Sequence, residues 1–314
     1  MEATHLVSDQ KTTDGVFLRY PFRIRLDDST LYIMDLHGSD NYCHRFSYPA
    51  IKHQSSFCKR GDGPGELLDA ENIRIDSKNR LWTLDANRKK MICISGDSVQ
   101  QEIPLAENLI RTLDFDLYND SLFIVPDYTG KYRFSIIDHH GNIIKNKDRI
   151  PIQEKNKQIS DMALAQAWRS FLNYNPKNNI LAMVTQLGEV LEIYDLKGDS
   201  TIKVFSGKFG KPIFKYNGGY AIPNGIMGYS DVYVGTNYIY AIFWGHSFED
   251  IKRGTVKVEG GNTIHVFDLK GKPVMKYELD RYITGFCVNE ESHKILGLDV
   301  NKDQQLVEYV LPKI

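Results

Sequence analysis

The sequence predicts an all-β fold in which six four-stranded units form a ring, that is, a six-bladed β-propeller. The prediction depends first on recurrence. Short apolar, β-branched or aromatic runs begin at positions 31, 81, 122, 180, 238 and 294, at intervals of 41 to 58 residues. Most of these runs follow a polar turn, and alternating strands flank them. Four strands in roughly 40 to 50 residues are typical of a propeller blade.

The strands of a unit follow a fixed order. An alternating first strand, such as residues 22–26, leads through a turn of Asp, Asn, Ser or Lys into the buried second strand. Asn and Asp close such turns because they tolerate the left-handed conformation and bond their own backbone. A third strand, such as residues 264–267, ends in a turn that closes at Gly271, where glycine supplies a positive φ. A more polar fourth strand follows.

The last unit predicts how the ring closes. Its third strand, residues 306–310, ends just before the chain stops, so we expect the fourth strand to come from the N-terminal segment around residues 6–8. Such closure removes an exposed sheet edge. Residues 160–169 interrupt the β pattern with an N-cap serine, an early acid and an alanine-rich middle, which predicts a short helix. The interpretation is one domain, residues 1–314, with this helix as an insertion.

Composition excludes several classes of partner and compartment signal. A net charge of −1 gives no general attraction to nucleic acid or anionic lipid. No apolar run approaches the roughly 18 residues of a membrane helix. The first residues carry neither a basic segment nor an apolar one, so no signal peptide is visible. A cytoplasmic protein and the mature form of an exported one both fit this start.

The four cysteines, Cys43, Cys58, Cys93 and Cys287, are scattered and have no Cys-x-x-Cys spacing. They therefore indicate neither a zinc site nor a disulfide framework. Cys43 and Cys58 could face each other on adjacent strands. Small buried apolar residues are the favoured interpretation.

The segment from Cys58 to Ser95 carries the clearest motif. It contains Gly61, Gly63, Gly65 and Glu66, then Ile73-x-Ile75-Asp76, then Leu81-Trp82-x-Leu84-Asp85. This pattern resembles an NHL-type blade, and its spelling Gly-Asp-Gly-Pro-Gly-Glu resembles the six-bladed, TolB-like propeller proteins of gut Bacteroidetes. The resemblance implies a propeller that is secreted or lipid-anchored, hence periplasmic or at the cell surface.

The glycines of this motif have two possible roles. A Gly-x-Gly-x-Gly run can bind phosphate when a helix follows it, but here strands follow and the Walker Lys-Ser/Thr is missing. We therefore interpret the loop as a tight turn between blades.

Loop lengths predict which face carries a site. In a four-stranded blade, the loops between second and third strands share one face with the links between blades. The long segments 152–169, 207–228 and 245–262 all fall on this linking face, whereas the other face keeps short turns. Long loops gathered on one side of a rigid scaffold are where binding usually occurs.

The linking face also has the residue types of a binding surface. Aromatic rings with Arg and Asn suit glycan or peptide ligands, through stacking and forked hydrogen bonds. For any one of these residues, covering a blade end is the simpler role. The candidates are Tyr20, Arg60, Arg88, Arg111, Tyr128, Trp168, Arg169, Tyr220, Asn224, Tyr229, Trp244, His246, Arg281 and Tyr282.

A catalytic alternative uses the channel. The resemblance to six-bladed lactonases implies a calcium ion held by Glu, Asn and Asp of the inner strands, and calcium takes about six to eight oxygen ligands. The matching residues are Glu71, Asn72, Asp114, Asn173 and Asp231. No Gly-x-Ser-x-Gly or His-Glu-x-x-His motif occurs.

The sequence thus favours a non-catalytic protein that binds a glycan, a peptide or a protein through the linking face, without a cofactor. A calcium-dependent lactonase or lyase is the alternative. A scaffold that binds proteins along the blade rims is a third possibility, which a large exposed apolar patch would favour.

Overall fold

The predicted ring of six blades is present in the computed structural model, which describes residues 2–109, 112–151 and 159–312. In every blade the four strands are antiparallel and hydrogen-bonded in order from the channel outwards. Blade 1 comprises Pro21–Asp27, Thr30–Asp35, Asn41–Ser47 and His53–Lys59; blade 2 comprises Ala70–Ile75, Leu81–Asp85, Lys90–Ser95 and Ser98–Pro104. Blade 3 comprises Asp116–Tyr118, Leu122–Pro126, Tyr132–Ile137 and Ile143–Arg149, with a 3-10 turn at Asn119–Ser121.

The second half of the ring follows the same plan. Blade 4 comprises Ser170–Asn175, Ile180–Thr185, Val190–Asp195 and Ser200–Ser206; blade 5 comprises Tyr229–Val234, Tyr238–Phe243, Gly261–Asp268 and Pro273–Ile283. Blade 6 comprises Gly285–Asn289, Lys294–Leu298, Leu306–Val310 and, from the other end of the chain, Asp9–Lys11. The first strands contact one another around the channel.

Both chain ends close the ring, but the expected position of the closing strand was wrong by three residues. Asp9–Lys11 pairs antiparallel with Leu306–Val310 and completes blade 6. The segment Thr4–Leu6 instead runs parallel to the outer strand of blade 5, with Leu6 beside Leu279. The reason is burial: Leu6 packs in the apolar cluster between blades 5 and 6, whereas the outer strand of blade 6 takes the polar residues that follow.

An apolar cluster fills each of the six interfaces between neighbouring blades. Trp82 of blade 2, for example, packs edge to face on Phe123 of blade 3, with ring centroids 5.0 Å apart. All four cysteines are free and buried, and all four lie in these clusters as small apolar residues: Cys43 and Cys58 together, Cys93 and Cys287 separately. Burial of alternating strand faces thus holds the ring together.

Buried aspartates at the ends of second strands fix the links between blades. Asp35 accepts hydrogen bonds from the backbone N–H groups of Arg19 and Tyr20, both at 2.7 Å, just before the first strand of blade 1. Asp85, the last residue of the blade motif, accepts one from Leu68 N at 2.9 Å. These bonds satisfy backbone groups that the sheets leave unpaired.

The long segments of the linking face have structure of their own. Helix α1 spans Asp161–Ala167 and begins as predicted at Ser160, whose Oγ accepts a hydrogen bond from Ala163 N. Segment 207–228 forms a hairpin of Phe214–Asn217 and Tyr220–Pro223, and helix α2 spans Phe248–Arg253 in the third segment. The first long segment, 152–169, includes residues 152–158, which lie outside the described residues. Over the described ranges, the chain has no helix with the length and apolarity needed to cross a membrane.

Candidate functional site

A pocket of about 510 Å³ opens on the linking face beside α1. Its volume lies within the range of ordinary small-ligand sites. The lining combines five apolar side chains with five polar or charged ones. They are Phe22, Leu113, Met162, Ala165 and Phe171, and Glu71, Tyr128, Gln166, Arg169 and Gln186.

The fold explains why residues so distant in sequence meet here. First strands begin at the linking face, so Phe22 of blade 1 and Phe171 of blade 4 both lie at the channel mouth. Loops between second and third strands return to the same face and supply Tyr128 from blade 3 and Gln186 from blade 4. Helix α1 covers one side.

A buried arginine lies against the aromatic walls. The Arg23 guanidinium is centred 3.8 Å from the ring of Phe22 and 5.0 Å from that of Phe171. It donates to the carbonyl oxygens of Ser230 and Thr284 and pairs with Asp231, Nη1 to Oδ2 at 3.8 Å. Its charge is therefore already used in joining blades 1, 5 and 6.

A second buried arginine, Arg133, holds the chain on both sides of Arg169. Arg133 donates to the carbonyl oxygen of Trp168 at 3.1 Å and to Ser170 Oγ at 2.8 Å, the residues on either side of Arg169. Arg133 itself is held by Glu192, Nη2 to Oε2 at 2.6 Å. The backbone that carries Arg169 is thus fixed by a buried ion pair that joins blades 3 and 4.

Two polar groups of the pocket have buried atoms without partners. Arg169 Nε and Tyr128 Oη are enclosed by protein and make no hydrogen bond within the described residues. Burial raises the pKa of Tyr128 well above its usual value, and the nearby Arg169 charge lowers it only in part. Tyr128 is therefore a neutral O–H donor at neutral pH.

The remaining aromatic candidates lie elsewhere on the same face. Tyr20 donates to Glu259 Oε2 at 2.5 Å, and His246 stacks on Tyr282 with centroids 6.0 Å apart. Trp244 Nε1 and His246 Nε2 are also enclosed without partners among the described residues, and burial lowers the pKa of His246. Arg281 pairs with Asp299, Nη1 to Oδ2 at 3.1 Å. These residues form a second aromatic group over blades 5, 6 and 1.

Other candidates have structural partners. Arg60 lies over the Tyr42 ring at 4.2 Å, and Arg88 ties the glycine-rich loop through Asp62 at 2.7 Å and through carbonyl groups. The loop makes inter-blade contacts, as an isolated bridge between Arg60 and Leu67 shows. Tyr220 and Asn224 are exposed on or beside the hairpin. Trp168 and Tyr229 are buried in the interior, and Arg111 lies outside the described residues.

The channel residues proposed for calcium join the inner strands of neighbouring blades. Asp114 Oδ2 accepts from Leu172 N at 2.8 Å, Asn173 Oδ1 from Val234 N at 2.7 Å and Asp231 Oδ2 from Phe286 N at 3.4 Å. Asn72 donates to Asp114, and Glu71 lies at the pocket instead. A calcium ion would have to displace these inter-blade bonds. Over the described ranges, no group of three or more His, Cys, Asp or Glu residues is placed to hold a metal.

The sequence alone does not identify most of the residues that line the pocket. Phe22, Phe171 and Gln186 lie at or next to strand ends, Leu113 lies in the link before blade 3, and Met162, Ala165 and Gln166 belong to the predicted helix. A usable signal was present for the two phenylalanines, because each is a large apolar residue at the channel-mouth end of an inner strand. Which blades α1 would approach depends on the three-dimensional path of segment 152–169.

A ring of six four-stranded blades with a pocket at the channel mouth places the chain among the six-bladed β-propellers. More specifically, the chain belongs to the TolB-like 6-blade propeller-like family, because the sequence model of that family matches residues 3–291. No curated protein matches the sequence.

Solved structures with the same fold include two from Bacteroides. A member of the DUF4221 family from Bacteroides vulgatus is 12% identical, with a TM-score of 0.63 over 98% of this chain and 96% of that one. A putative exported protein from Bacteroides fragilis is 11% identical, with a TM-score of 0.57 over 98% and 95%. A streptogramin B lyase is 10% identical, with a TM-score of 0.55 over 98% and 88%. At these identities the likeness concerns the fold alone.

Proposed function

We propose that the protein is a non-catalytic binding protein that recognises a segment of a peptide, glycan or partner protein at the channel-mouth pocket. The observation that carries the proposal is the lining of this pocket. Aromatic walls stand beside an arginine and a tyrosine whose buried polar atoms have no partner among the described residues. Leaving such groups unpaired costs about 1–3 kcal/mol each, which a ligand that pairs with them recovers.

The rigid surroundings also support a binding role. The strands beneath the pocket are joined by buried ion pairs and inter-blade hydrogen bonds, so the lining is held in place before a ligand arrives. A preformed site loses less conformational entropy on binding.

We further propose that the protein acts outside the cytoplasm, in the periplasm or at the cell surface. The Bacteroides fragilis protein of the same fold is described as a putative exported protein. Fractionation of the native host, with antibody detection, tests the compartment directly.

Glycan and peptide arrays test the binding role when they are probed with matched tryptophan variants. Met162→Trp and Gln186→Trp place an indole at the pocket, and we expect both to lose the ligands that the unmodified protein binds. Val204→Trp adds the same group to an exposed position on the outer strand of blade 4 and serves as the control. Retention of every array ligand by both pocket variants would refute the proposal.

The alternative, a calcium-dependent lactonase or lyase, is supported by the fold alone, because a solved streptogramin B lyase has the same fold. Thermal unfolding with about 10 mM calcium, at least about tenfold above the dissociation constants of typical extracellular sites, tests it. A calcium-dependent rise in Tm that Asp114→Asn removes would favour the enzyme.

A further inference from the structure

Arg169 differs from the other arginines near the pocket in how its charge is used. Arg23 pairs with Asp231 and Arg133 with Glu192, and both are almost fully buried. For Arg169, the described residues provide no acidic partner and no hydrogen-bond acceptor, although its Nε is enclosed. The guanidinium therefore has a complete set of free donors at the wall of a pocket.

The natural complement of a free guanidinium is a carboxylate. The planar fork of Arg matches the two oxygens of a carboxylate in a bidentate pair, and such charge-assisted bonds are the stronger ones in proteins. Tyr128 adds a neutral O–H donor at the same pocket.

The apolar side of the pocket defines what accompanies the carboxylate. The Arg23 guanidinium lies against both Phe22 and Phe171, so the apolar surface open to a ligand is the pocket side of these rings together with Leu113 and Met162. A branched or aromatic side chain buries area against these rings, whereas a sugar acid presents mainly hydroxyl groups. The C-terminal residue of a peptide carries a carboxylate and an apolar side chain on one carbon.

We propose that the pocket binds the C-terminal residue of a peptide or protein, with the terminal carboxylate on Arg169 and Tyr128 and an apolar side chain against Leu113, Met162 and the pocket sides of Phe22 and Phe171. This inference rests on the proposed binding function and names its ligand class. It also implies a preference for free over amidated C-termini.

The test uses three small probes with the full chain, measured by calorimetry or by protein-observed NMR. They are N-acetyl-L-phenylalanine, its amide and methyl β-D-glucuronide. We expect N-acetylphenylalanine to bind at least about tenfold more tightly than the amide, as expected for loss of a charge-assisted pair. The glucuronide, which has the carboxylate without the apolar group, should bind more weakly than N-acetylphenylalanine.

Variants test whether Arg169 and Tyr128 cause the preference for the acid over the amide. Arg169→Gln should abolish the preference for the acid over the amide, and Tyr128→Phe should weaken the acid by about 2- to 10-fold. Arg253→Gln, on the exposed helix α2, removes an arginine from the same face and should change nothing. Because Tyr128→Phe keeps the ring, it tests the site even where Arg169→Gln unfolds.

Each contrary result has a distinct meaning. Equal binding of acid and amide, tighter binding of the glucuronide, or no binding of N-acetylphenylalanine at about 10 mM would overturn the C-terminal assignment. If Met162→Trp and Gln186→Trp nevertheless lose the array ligands, the pocket is still the binding site and only the C-terminal assignment is wrong. If those variants keep every array ligand, the proposed function itself fails.

Discussion

The guanidinium of Arg133 is clamped by the carboxylate of Glu192, with Nη2 2.6 Å and Nε 2.9 Å from the same Oε2 atom. Both side chains are almost fully buried. Because Arg133 also bonds Trp168 and Ser170, this pair joins blades 3 and 4 and supports the backbone of Arg169. The pair is therefore the structural base of one side of the pocket.

Removing one member of this pair should be costly. In Glu192→Gln the buried Arg133 charge loses its counter-charge, and we expect the free energy of unfolding to fall by about 3–5 kcal/mol. Urea titration measures the change. The control is Glu102→Gln, which breaks a half-exposed pair with Lys90 and should cost less than about 1 kcal/mol. Equal losses in the two variants would contradict this account.

Two channel arginines should respond differently to replacement by methionine. Arg74 lies 3.0 Å from Asp116 and 3.4 Å from Asp114, so Arg74→Met leaves two buried carboxylates unpaired and should cost about 3–5 kcal/mol. Burial already raises the pKa of Asp114 despite its basic neighbours.

Arg25 is the matched case, since it makes no ion pair within the described part of the chain. It bonds the Ile24 carbonyl and Asn72 Oδ1, and burial, followed by the Arg74 charge, lowers its pKa to about 10. Arg25→Met should therefore cost no more than about 1 kcal/mol, the usual net value of a lost hydrogen bond. Denaturation of both variants in one buffer gives the comparison, and a reversed order would contradict it.

His265 should make the fold sensitive to mild acid. Burial, helped by Lys276, lowers its pKa to about 4, and its Nδ1 lies 3.1 Å from the hydroxyl oxygen of Tyr229. Above the unfolded pKa of about 6.5 the residue is neutral in both states and adds no pH dependence. As the pH falls from about 6.5 to 4 only the unfolded chain takes up the proton, so stability is lost by up to about 1.4 kcal/mol per unit.

A variant separates this effect from that of the neighbouring acid. Glu189 Oε1 lies 3.8 Å from the ring, and burial raises the pKa of Glu189, which gives stability that increases as the pH falls. His265→Gln removes only the histidine contribution. We expect the unmodified protein to lose more stability than this variant between pH 6.5 and 4 in thermal unfolding, and parallel curves would count against the prediction.

Gly130 connects the Tyr128 loop to helix α1. Its φ is +83°, and a Cβ there would lie 1.9 Å from the carbonyl oxygen of Asp161, the first residue of α1. Gly130→Ala should therefore push the helix away and weaken ligand binding at the pocket. Gly65→Ala is the control, because its φ of +73° imposes a similar backbone cost of about 1–2 kcal/mol with no atom within 4 Å. Equal binding by both variants would contradict the proposed role of α1.

The fold was predictable because its signals are local. Each blade repeats turn residues and alternating strands, and ring closure follows from a sixth unit that lacks one strand. The sequence places the closing strand too early, because the apolar residue Leu6 fits a strand pattern. In the structure Leu6 fills the interface between blades 5 and 6. The burial of this one side chain determines which N-terminal residues form the closing strand.

The pocket was less accessible to sequence reasoning. Loop lengths indicated the linking face, and two of the binding candidates, Tyr128 and Arg169, line the pocket together with Glu71, a candidate for calcium. The same residue types also cap and cover blades, as Trp168 and Tyr229 do in the interior. Only the three-dimensional arrangement separates an arginine with a partner, such as Arg88, from one without, such as Arg169.

A crystal structure of the complex with the tightest-binding array ligand tests the central claim most directly. The account predicts ligand density in the channel-mouth pocket, against the pocket sides of Phe22 and Phe171 and within hydrogen-bond distance of Arg169. Density confined to the opposite face, to the blade rims or to the second aromatic group around His246 would contradict it.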